Sequence, residues 1–374
     1  MAGFATGDGP GGERSDLPVS FSERPLVSVV VAMLDEEDFI GAILDAVDGQ
    51  TWDKSLLELV IVDSGSTDGS RPIVDEWIAG HPWCRVVPNP ERRQSSAWRR
   101  GIEAARGEIV CCINAHALPS PDYVERSVAV LQETGAAAVG GVILHEGVST
   151  QSTAIGMAMA SPFGMASPHR FATGRREVDT VSHPAFVRSA LLAVGLHDES
   201  LERNSDYEMN WRLRQAGGTF VFDETIISTY RPRPSLLALW RQFWWYGEAK
   251  VEVVRRHPNS LRPRHAVPPV AVAGGLIVVA LSWHPQARRA LKLAGVAYLG
   301  IVAAALLRHR PRSNGADRIT FVAAFPVMHA AWGSGFLSRA LKHSVGGTWH
   351  YEPDGSAAAA DAGADAGSGL HDLP

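Results

Sequence analysis

The chain has 374 residues, of which 45% are apolar and 20% are charged. At about 150 residues per structural unit, this length predicts roughly two or three units, and the apolar content is enough for a sizeable core rather than a disordered chain. The 35 basic and 40 acidic residues give a net charge of −5, which argues against a dedicated nucleic-acid-binding protein, since such domains are usually basic. Three cysteines are too few for a disulfide-stapled scaffold.

The two ends of the chain are predicted to be disordered. Residues 1–25 are rich in Gly, Ser and charge and contain no apolar run, which indicates a flexible leader rather than a secretory signal. Residues 339–374 end in a stretch of Ala, Gly and Asp without periodicity, which is typical of a disordered tail.

Strand and helix patterns alternate between residues 26 and 234. The apolar, β-branched run 26–32 predicts a strand buried on both faces, and apolar residues at helical spacing follow over 38–47. The alternation continues with a strand at 57–62, a helix at 72–79, a strand at 85–87, a helix at 96–105 and a strand at 108–113. This order predicts an α/β fold with a mainly parallel sheet, in which ligands bind at the carboxyl ends of the strands. Those ends carry Asp35-Glu36-Glu37, Asp63 and Asn114-Ala-His116.

The last third of the chain holds three long apolar segments, at 266–283, 291–307 and 319–337. Each would be roughly 25–29 Å long as a helix, near the lower limit for crossing a bilayer, so we predict a transmembrane region of about three helices over 266–338. Buried helices of a soluble domain are the alternative. Four arginines lie between the second and third segments and two between the first and second, so the positive-inside rule predicts that the α/β domain before these segments is cytoplasmic.

Residues 235–265 precede these segments and are rich in Trp, Tyr, Leu and basic residues. The mixture at helical spacing predicts an amphipathic helix in the headgroup region of a membrane. A helix packed against the α/β domain is the alternative, and one helix could do both.

Four motifs resemble a known family: Val29–Glu37, Val60-Ile-Val-Asp-Ser-Gly-Ser-Thr-Asp-Gly69, Asn114-Ala-His116 and Asn204-Ser-Asp-Tyr-Glu-Met-Asn-Trp-Arg212. They are similar to motifs of family 2 glycosyltransferases, which have the Rossmann-like GT-A fold. Together with Asp198–Gly217 and Met328–Phe336, they more closely resemble membrane-bound exopolysaccharide enzymes of the succinoglycan β-glucosyltransferase kind. The resemblance covers residues 26–338 and implies a GT-A catalytic domain over 26–234.

The resemblance implies a nucleotide-sugar pocket that contains Glu36, Asp63, Asn114 and Arg93. The carboxylate of Asp63 can accept hydrogen bonds from a base or a ribose, although it could instead close an Asx-turn at Gly65. Glu36 could simply favour a helix N-terminus. An arginine such as Arg93 between a strand and a helix could reach phosphate, or could be a solvated surface charge.

The triplet Asn114-Ala-His116 stands where the resembled family carries its Asp-x-Asp metal motif. The resemblance therefore implies Mn²⁺ or Mg²⁺, with His116 as a ligand that tilts the choice towards Mn²⁺. Asn114 departs from the aspartate expected there and removes one negative charge. A loop that binds no metal is the alternative.

By the same resemblance Asp206 is the catalytic base. An aspartate in the first turn of a helix stays ionised at the positive helix end and could accept the proton of the acceptor hydroxyl in a single, inverting displacement. Asp206 could instead be an N-cap, and Glu208 could assist or pair with Arg212 four residues on. Arg241, Trp244 and His183 are further candidates near the acceptor or diphosphate, although a loop histidine can simply be hydrogen-bonded.

The sequence thus predicts a multi-pass enzyme of the cytoplasmic membrane. Its donor would be a nucleotide-diphosphate sugar such as UDP-glucose, and its acceptor a lipid-linked or membrane-held saccharide of exopolysaccharide or envelope glycan synthesis. Membrane lipids are expected partners and nucleic acids are not. Alternatives are a GDP-mannose enzyme, transfer to a prenyl phosphate, and a catalytically silent membrane scaffold.

Overall fold

The computed structural model describes residues 17–165, 172–201, 203–232, 234–309 and 315–344. Its strands are β1 (Val27–Met33), β2 (Leu57–Asp63), β3 (Cys84–Pro88), β4 (Ile109–Asn114), β5 (Ala117–Pro119), β6 (Ala138–His145), β7 (Arg176–Glu177), β8 (Ala185–Val187) and β9 (Phe220–Tyr230). Its helices are α1 (Glu37–Asp48), α2 (Ser70–Ile78), α3 (Gln94–Ala104), α4 (Tyr123–Thr134), α5 (Thr150–Ala160), α6 (Arg188–Val194), α7 (Ser205–Gln215), α8 (Leu236–Arg256), α9 (Pro263–Ala280), α10 (Pro285–His309) and α11 (Gly315–Ser344).

The strands of the described residues form one mixed sheet in the order β3-β2-β1-β4-β8-β6-β9-β5, with β7 paired to β9. The half made of β3, β2, β1 and β4 is parallel, as predicted. In the other half β6 and β9 are also parallel, and the departure from the prediction lies in three short strands: β8 is antiparallel to both β4 and β6, and β5 and β7 are antiparallel to β9. These strands are short or lie beyond residue 113, where the sequence pattern assigned no strands.

The central strands are buried because helices cover both faces of the sheet. Every residue of β2 is buried, and Gly101 brings α3 directly onto β1 and β2. A Cβ at this position would lie 2.3 Å from Cγ1 of Val30 and 2.9 Å from Cγ2 of Val62, closer than packed carbon atoms allow. This close approach fixes the start of α3 beside the carboxyl ends of the strands.

Residues 17–24 correct the prediction of a disordered leader over 1–25. The side chains of Leu17, Val19 and Phe21 pack against the core of the sheet domain. The segment is also tied down by hydrogen bonds from Ser22 to the carboxylate of Glu108, at 2.6 and 2.8 Å. The composition of residues 1–25 did not reveal this ordered segment, because three spaced apolar side chains are enough to hold a short stretch of chain against a large core. The prediction of a disordered tail over 339–374 is wrong for residues 339–344, which belong to α11. Residues 1–16 and 345–374 lie outside the described residues.

Three helices of the described chain, α9, α10 and α11, are long and apolar enough to cross a membrane. They differ in how much protein covers them. In the most apolar stretch of each helix, 6% is buried in α9 and 11% in α10, but 39% in α11. Large apolar side chains on α9 and α10, such as Val270, Leu276, Leu293 and Leu299, are exposed, which a lipid environment would cover.

Helix α8 spans the region predicted as an interfacial helix and packs against the protein. Leu239 and Phe243 on α8 share a second apolar core with α5 and α11, whereas Leu237 is exposed. The packing alternative therefore holds for one face of α8. The approach to α11 is close, since a Cβ on Gly247 would lie 2.1 Å from the carbonyl oxygen of Trp332.

Candidate functional site

The predicted site residues at the strand ends lie beside one another. The sheet register pairs Met33 of β1 with Asp63 of β2, and Ala32 of β1 with Asn114 of β4. Neighbouring strands are about 4.8 Å apart, so Asp63 and Asn114 flank the end of β1 about 10 Å from each other. This is the edge at which a parallel sheet binds its ligands.

The loops after β1 and β2 are joined by hydrogen bonds. Oδ1 of Asp35 accepts from the backbone N–H of Thr67 at 2.7 Å, and Oε2 of Glu37 accepts from that of Gly69 at 2.7 Å. Asp35 has a positive φ of 52°, which turns its side chain across to the second loop. The two loops therefore form one rigid rim above the sheet.

Asp63 is buried, and its two carboxylate oxygens have different partners. Oδ1 accepts hydrogen bonds from the backbone N–H and the hydroxyl of Ser66, at 2.9 and 2.8 Å. The alternative that Asp63 closes its own loop is therefore confirmed, although the hydrogen bonds come from Ser66 and not from Gly65. Oδ2 lies 3.5 Å from Nη1 of Arg71 in the first turn of α2. Sequence reasoning missed Arg71, although an arginine two residues after the Asp-Gly motif was a usable signal.

His116 pairs with Glu36 across the end of β1. Its Nδ1 lies 3.2 Å from Oε1 of Glu36, with both side chains partly buried. Asn114 lies beside this pair, and its Oδ1 accepts a hydrogen bond from Nε2 of Gln94 at 3.2 Å. Because α1 begins at Glu37, the helix-start alternative for Glu36 is also realised.

The donor groups at this edge fit a divalent cation only in part. No group of three His, Cys, Asp or Glu side chains within the described residues is arranged to hold a metal ion. Glu36 and His116 provide two such groups, and Asn114 adds an amide oxygen. Mg²⁺ takes six ligands, so a cation here would have to take most of its ligands from a bound diphosphate and water.

Asp206 occupies the first turn of α7. Asn204, with a positive φ of 58°, is the N-cap, so the alternative that Asp206 is only an N-cap is wrong. Asp206 is exposed and close enough to Lys250 of α8 for its charge to act on that ammonium. The hydroxyl of Tyr207 donates to the carbonyl of Ser260 at 2.9 Å, which fixes the start of α7 against the segment before α9.

Glu208 points to a different place from Asp206. It is buried, pairs with Arg212 through two hydrogen bonds of 2.8 Å, as predicted, and lies 2.8 Å from Nε2 of His257. It also lines an open cavity of about 540 Å³ between α7, the preceding loop and the end of α8. Of the predicted site residues, Glu208 alone is among those that line this cavity in the described structure.

Arg93 connects the strand-end cluster to the chain leading into α7. Its Nη1 donates to the carbonyl oxygen of Glu199 at 3.2 Å, and the hydroxyl of Ser95 donates to the same oxygen at 3.5 Å. Since Gln94 contacts Asn114, the start of α3 touches both the sheet edge and the segment before α7.

The remaining candidates lie on α8 and just before β8. Ala185 pairs with Cys111, and the carbonyl of Pro184 accepts a hydrogen bond from the N–H of Cys112, so the antiparallel register places His183 beside the end of β4. Arg241 is on the exposed face of α8, and Trp244 stacks on Trp240 with ring centroids 6.3 Å apart. His183 is buried, with Nδ1 2.8 Å from the hydroxyl oxygen of Ser228. The hydrogen-bonded alternative therefore holds for His183.

A profile of the family described as "Glycosyl transferase family 2" matches residues 28–194. This range includes the joined loops, Asp63, Asn114 and His116. Residues 28–194 are a family 2 glycosyltransferase domain.

Relatives of this glycosyltransferase extend the similarity beyond that domain. The succinoglycan biosynthesis protein ExoA of Rhizobium meliloti is 29% identical over 323 residues, which cover 84% of this chain and 94% of the relative. A dolichyl N-acetyl-alpha-D-glucosaminyl phosphate 3-beta-D-2,3-diacetamido-2,3-dideoxy-beta-D-glucuronosyltransferase of Methanococcus voltae is 25% identical over 240 residues, covering 62% of this chain and 74% of the relative. The domain match and the similarity to these relatives together show that the chain is a glycosyltransferase.

A solved structure is similar in fold. The mannosyltransferase PcManGT of Pyrobaculum calidifontis, determined with GDP-Man and Mn²⁺, has a TM-score of 0.53 and 21% identity, and the similarity covers 86% of this chain and 88% of that one. The predicted GT-A fold class, followed by apolar C-terminal helices, is confirmed.

Proposed function

We propose that this glycosyltransferase moves a hexose from a nucleotide-diphosphate sugar, UDP-glucose or a similar donor, to a lipid-linked or membrane-held saccharide in exopolysaccharide or cell-envelope glycan synthesis. The observation that carries the proposal is the rim formed by the joined loops after β1 and β2, with Asp63 and Asn114 on either side of the end of β1. The name of the Rhizobium meliloti relative supports the pathway class.

The donor would lie along this rim. Asp63 holds the nucleoside end, since one carboxylate oxygen is already fixed by Ser66 and the other is turned towards Arg71. Asn114 accepts from a ribose hydroxyl, and Arg93 at the start of α3 carries positive charge for the diphosphate. A bound Mn²⁺ or Mg²⁺ would neutralise the leaving diphosphate, and His116 with Glu36 are the side chains that would hold it.

Asp206 is the proposed base. Its position in the first turn of α7 favours the ionised form, because the N-terminal end of a helix carries positive partial charge. The carboxylate accepts the proton of the acceptor hydroxyl while that oxygen attacks the anomeric carbon on the face opposite the diphosphate. An α-linked donor would then give a β-linked product, and the name of the Methanococcus voltae relative also describes β-transfer to a dolichyl phosphate sugar.

The membrane part of the proposal rests on α9 and α10, whose apolar side chains are exposed. They would hold the catalytic domain at the cytoplasmic face, as the arginine distribution predicts. Arg241 and Trp244 on α8 remain proposed contacts for the acceptor or diphosphate. Glu208 and His183 are proposed to support the site, because their polar atoms are engaged by Arg212 and Ser228.

The test separates donor binding from transfer. In Asp206→Asn we expect unchanged binding of the donor nucleotide but a loss of transfer of at least about 100-fold, the usual range for a missing general base. In Asp63→Ala we expect donor binding itself to be lost. Glu76→Gln, an exposed change on α2, is the matched control and should behave as wild type.

A panel of UDP- and GDP-sugars, measured by thermal shift and by radiolabel transfer into membrane lipids, gives the readout. Transfer by Asp206→Asn at the wild-type rate would contradict the proposed base. Absence of binding to every nucleotide sugar would support the silent-scaffold alternative instead.

A further inference from the structure

We propose that a cationic cluster at the junction of α7, α8 and α9 binds the phosphate or diphosphate group of the membrane-held acceptor lipid. The cluster consists of Arg214, Lys250, Arg262 and Arg264. This inference rests on the proposed function, since it identifies the part of the acceptor that anchors it beside Asp206. A phospholipid headgroup offers the same phosphate chemistry, and the experiment below distinguishes the two sources.

The carboxylate of Asp179 is the shared ion-pair partner of three of these cations. Oδ1 of Asp179 lies 3.7 Å from Nη1 of Arg214 and 3.5 Å from Nη2 of Arg262, and Oδ2 lies 3.5 Å from Nη2 of Arg264. All three distances are longer than a charge-assisted hydrogen bond of about 2.7–2.9 Å. In addition, Nε of Arg214 is buried without a hydrogen-bond partner among the described residues. The guanidinium groups therefore have N–H donors to spare for an anion.

The fourth cation is a buried lysine. Lys250 is only 4% exposed, and its Nζ lies 3.2 Å from the centre of the Tyr207 ring. Burial, and after it the charge of Arg264, lower the pKa of Lys250 to about 6, while the charge of Asp206 opposes this shift. Burying an ammonium beside arginines is unfavourable in the ligand-free protein, and a bound phosphate would reverse that cost.

The position of the cluster suits a lipid. Arg262 is the N-cap of α9 and Arg264 lies in its first turn, so both lie where this apolar helix begins. A phosphate held there would sit at headgroup depth, with its hydrocarbon chain along the exposed apolar face of α9. Because Asp206 is close enough to act on Lys250, the sugar attached to that phosphate would begin next to the proposed base.

Proton uptake is a second consequence. The groups that face Lys250 from the surrounding elements are Asp206, Tyr207 and Arg214 on α7, Arg262, Arg264 and His265 at the start of α9, and Asp179 before β8. A phosphate dianion added to this set favours the charged ammonium. Binding at pH 7.5 should therefore take up a proton, which calorimetry in buffers of different ionisation enthalpy measures.

The experiment uses the full chain in phosphatidylcholine nanodiscs, with farnesyl diphosphate, farnesyl phosphate and farnesol as probes. We expect the diphosphate to bind more tightly than the monophosphate and farnesol not to bind specifically. The double variant Arg262→Gln/Arg264→Gln should lose at least tenfold in affinity for the diphosphate, because two charge-assisted contacts are removed. The control Arg288→Gln/Arg289→Gln removes two exposed arginines where α10 begins and should retain wild-type affinity.

Two more variants keep the proposal testable if the double variant folds poorly. Asp179→Asn removes the competing carboxylate and should bind the diphosphate more tightly than wild type. Lys250→Met should abolish the proton uptake. Wild-type affinity in both the double variant and Asp179→Asn would overturn the proposal.

The lipid source is decided by adding phosphatidylglycerol to the nanodiscs. If the acceptor phosphate is the ligand, phosphatidylglycerol leaves farnesyl diphosphate binding within about twofold. If the cluster instead takes phospholipid headgroups, phosphatidylglycerol competes fully and the acceptor assignment is wrong. Nucleotide-sugar binding is measured in the same samples, so a failure confined to farnesyl diphosphate rejects this inference and a failure of all nucleotide sugars rejects the proposed function.

Discussion

Asn114 stands at the end of β4 with its side-chain oxygen engaged by Gln94. Beside this amide, Glu36 and His116 are the described side chains that offer ionisable groups to a cation, and the site has one negative charge fewer than it would have with an aspartate at position 114. Carboxylate ligands raise the affinity for hard divalent ions.

Asn114→Asp should therefore strengthen metal-dependent donor binding. We expect the Mn²⁺ concentration needed for half-maximal binding of the nucleotide sugar to fall severalfold, because the new carboxylate adds a ligand next to His116. Titration of Mn²⁺ at fixed donor concentration measures this. Glu76→Gln, a change on the exposed surface of α2, is the comparison variant, and an unchanged midpoint in Asn114→Asp would reject a metal role for this edge.

Lys250 makes stability depend on pH in a defined direction. Burial lowers its pKa from 10.5 to about 6 in the folded chain, so between these values the unfolded chain binds more protons. Stability contributed by this site consequently falls as the pH falls from about 10 towards 6, by up to about 1.4 kcal/mol per pH unit, and changes little below 6.

Lys250→Met removes this dependence. The melting temperature of Lys250→Met should exceed that of the wild type by more at pH 6.5 than at pH 9, because the buried lysine destabilises the wild type more at the lower pH. Thermal shift in detergent measures both temperatures. Lys342→Met, at an exposed lysine, should show no such difference between the two pH values. An equal effect of Lys250→Met at both pH values would contradict the lowered pKa.

At the scale of elements, α11 differs from α9 and α10 although all three are apolar. His329 in its middle lies 2.9 Å from the carbonyl oxygen of Phe163, just after α5. Near its end, Nε of Arg339 donates to Oε1 of Glu252 on α8 at 2.6 Å, with both side chains buried. Since α8 is itself tied to the catalytic domain by the ion pair of Arg256 with Asp198, the end of α11 lies beside that domain.

The carboxyl end of α11 should therefore be on the same side of the membrane as the catalytic domain. In Ser344→Cys the new thiol should react with an impermeant maleimide from the same side of the membrane as the thiol of Glu76→Cys on α2. The three native cysteines are buried and should not react. The turn between α9 and α10 would be reached from the other side. Labelling of the Ser344 position from that other side would instead indicate that α11 crosses the bilayer.

For the whole molecule, the last helix of the described chain, α11, is part of the folded core. Phe321, Phe325 and Met328 of α11 are fully buried in one apolar cluster with α5 and α8. Uncovering that cluster would expose several large side chains, each worth about 1.5–3 kcal/mol of burial.

A chain that ends after Arg262 should consequently aggregate or unfold rather than yield a soluble enzyme. In contrast, replacing residues 273–297, the exposed part of the α9–α10 hairpin, by a short Gly-Ser linker should preserve folding and donor binding, since α11 stays in place. Size-exclusion chromatography and donor binding compare the two. A monodisperse, donor-binding chain after truncation at Arg262 would show that α11 is dispensable for the fold.

The elements of the first half follow from the sequence because their signals are local. The apolar run of β1 and the helical spacing in α1 lie within the elements that they predict, and the observed bounds differ from the predicted ones by one residue at each end. The position of Asp63 and Asn114 at one sheet edge also follows, since the carboxyl ends of parallel strands must meet there. The motifs at these ends carry the family resemblance, and the apolar segments indicate the membrane helices.

Other features depend on packing between distant parts of the chain. The cationic cluster joins Arg214, Lys250, Arg262 and Arg264, which are separated in sequence and share no local period. In the sequence they appear only as scattered charges and a basic stretch. Likewise, hydropathy assigns α11 to the same class as α10, because it measures composition and not what covers the helix. Close contacts such as that between Gly247 and Trp332 decide this, since only the folded chain brings α8 and α11 together.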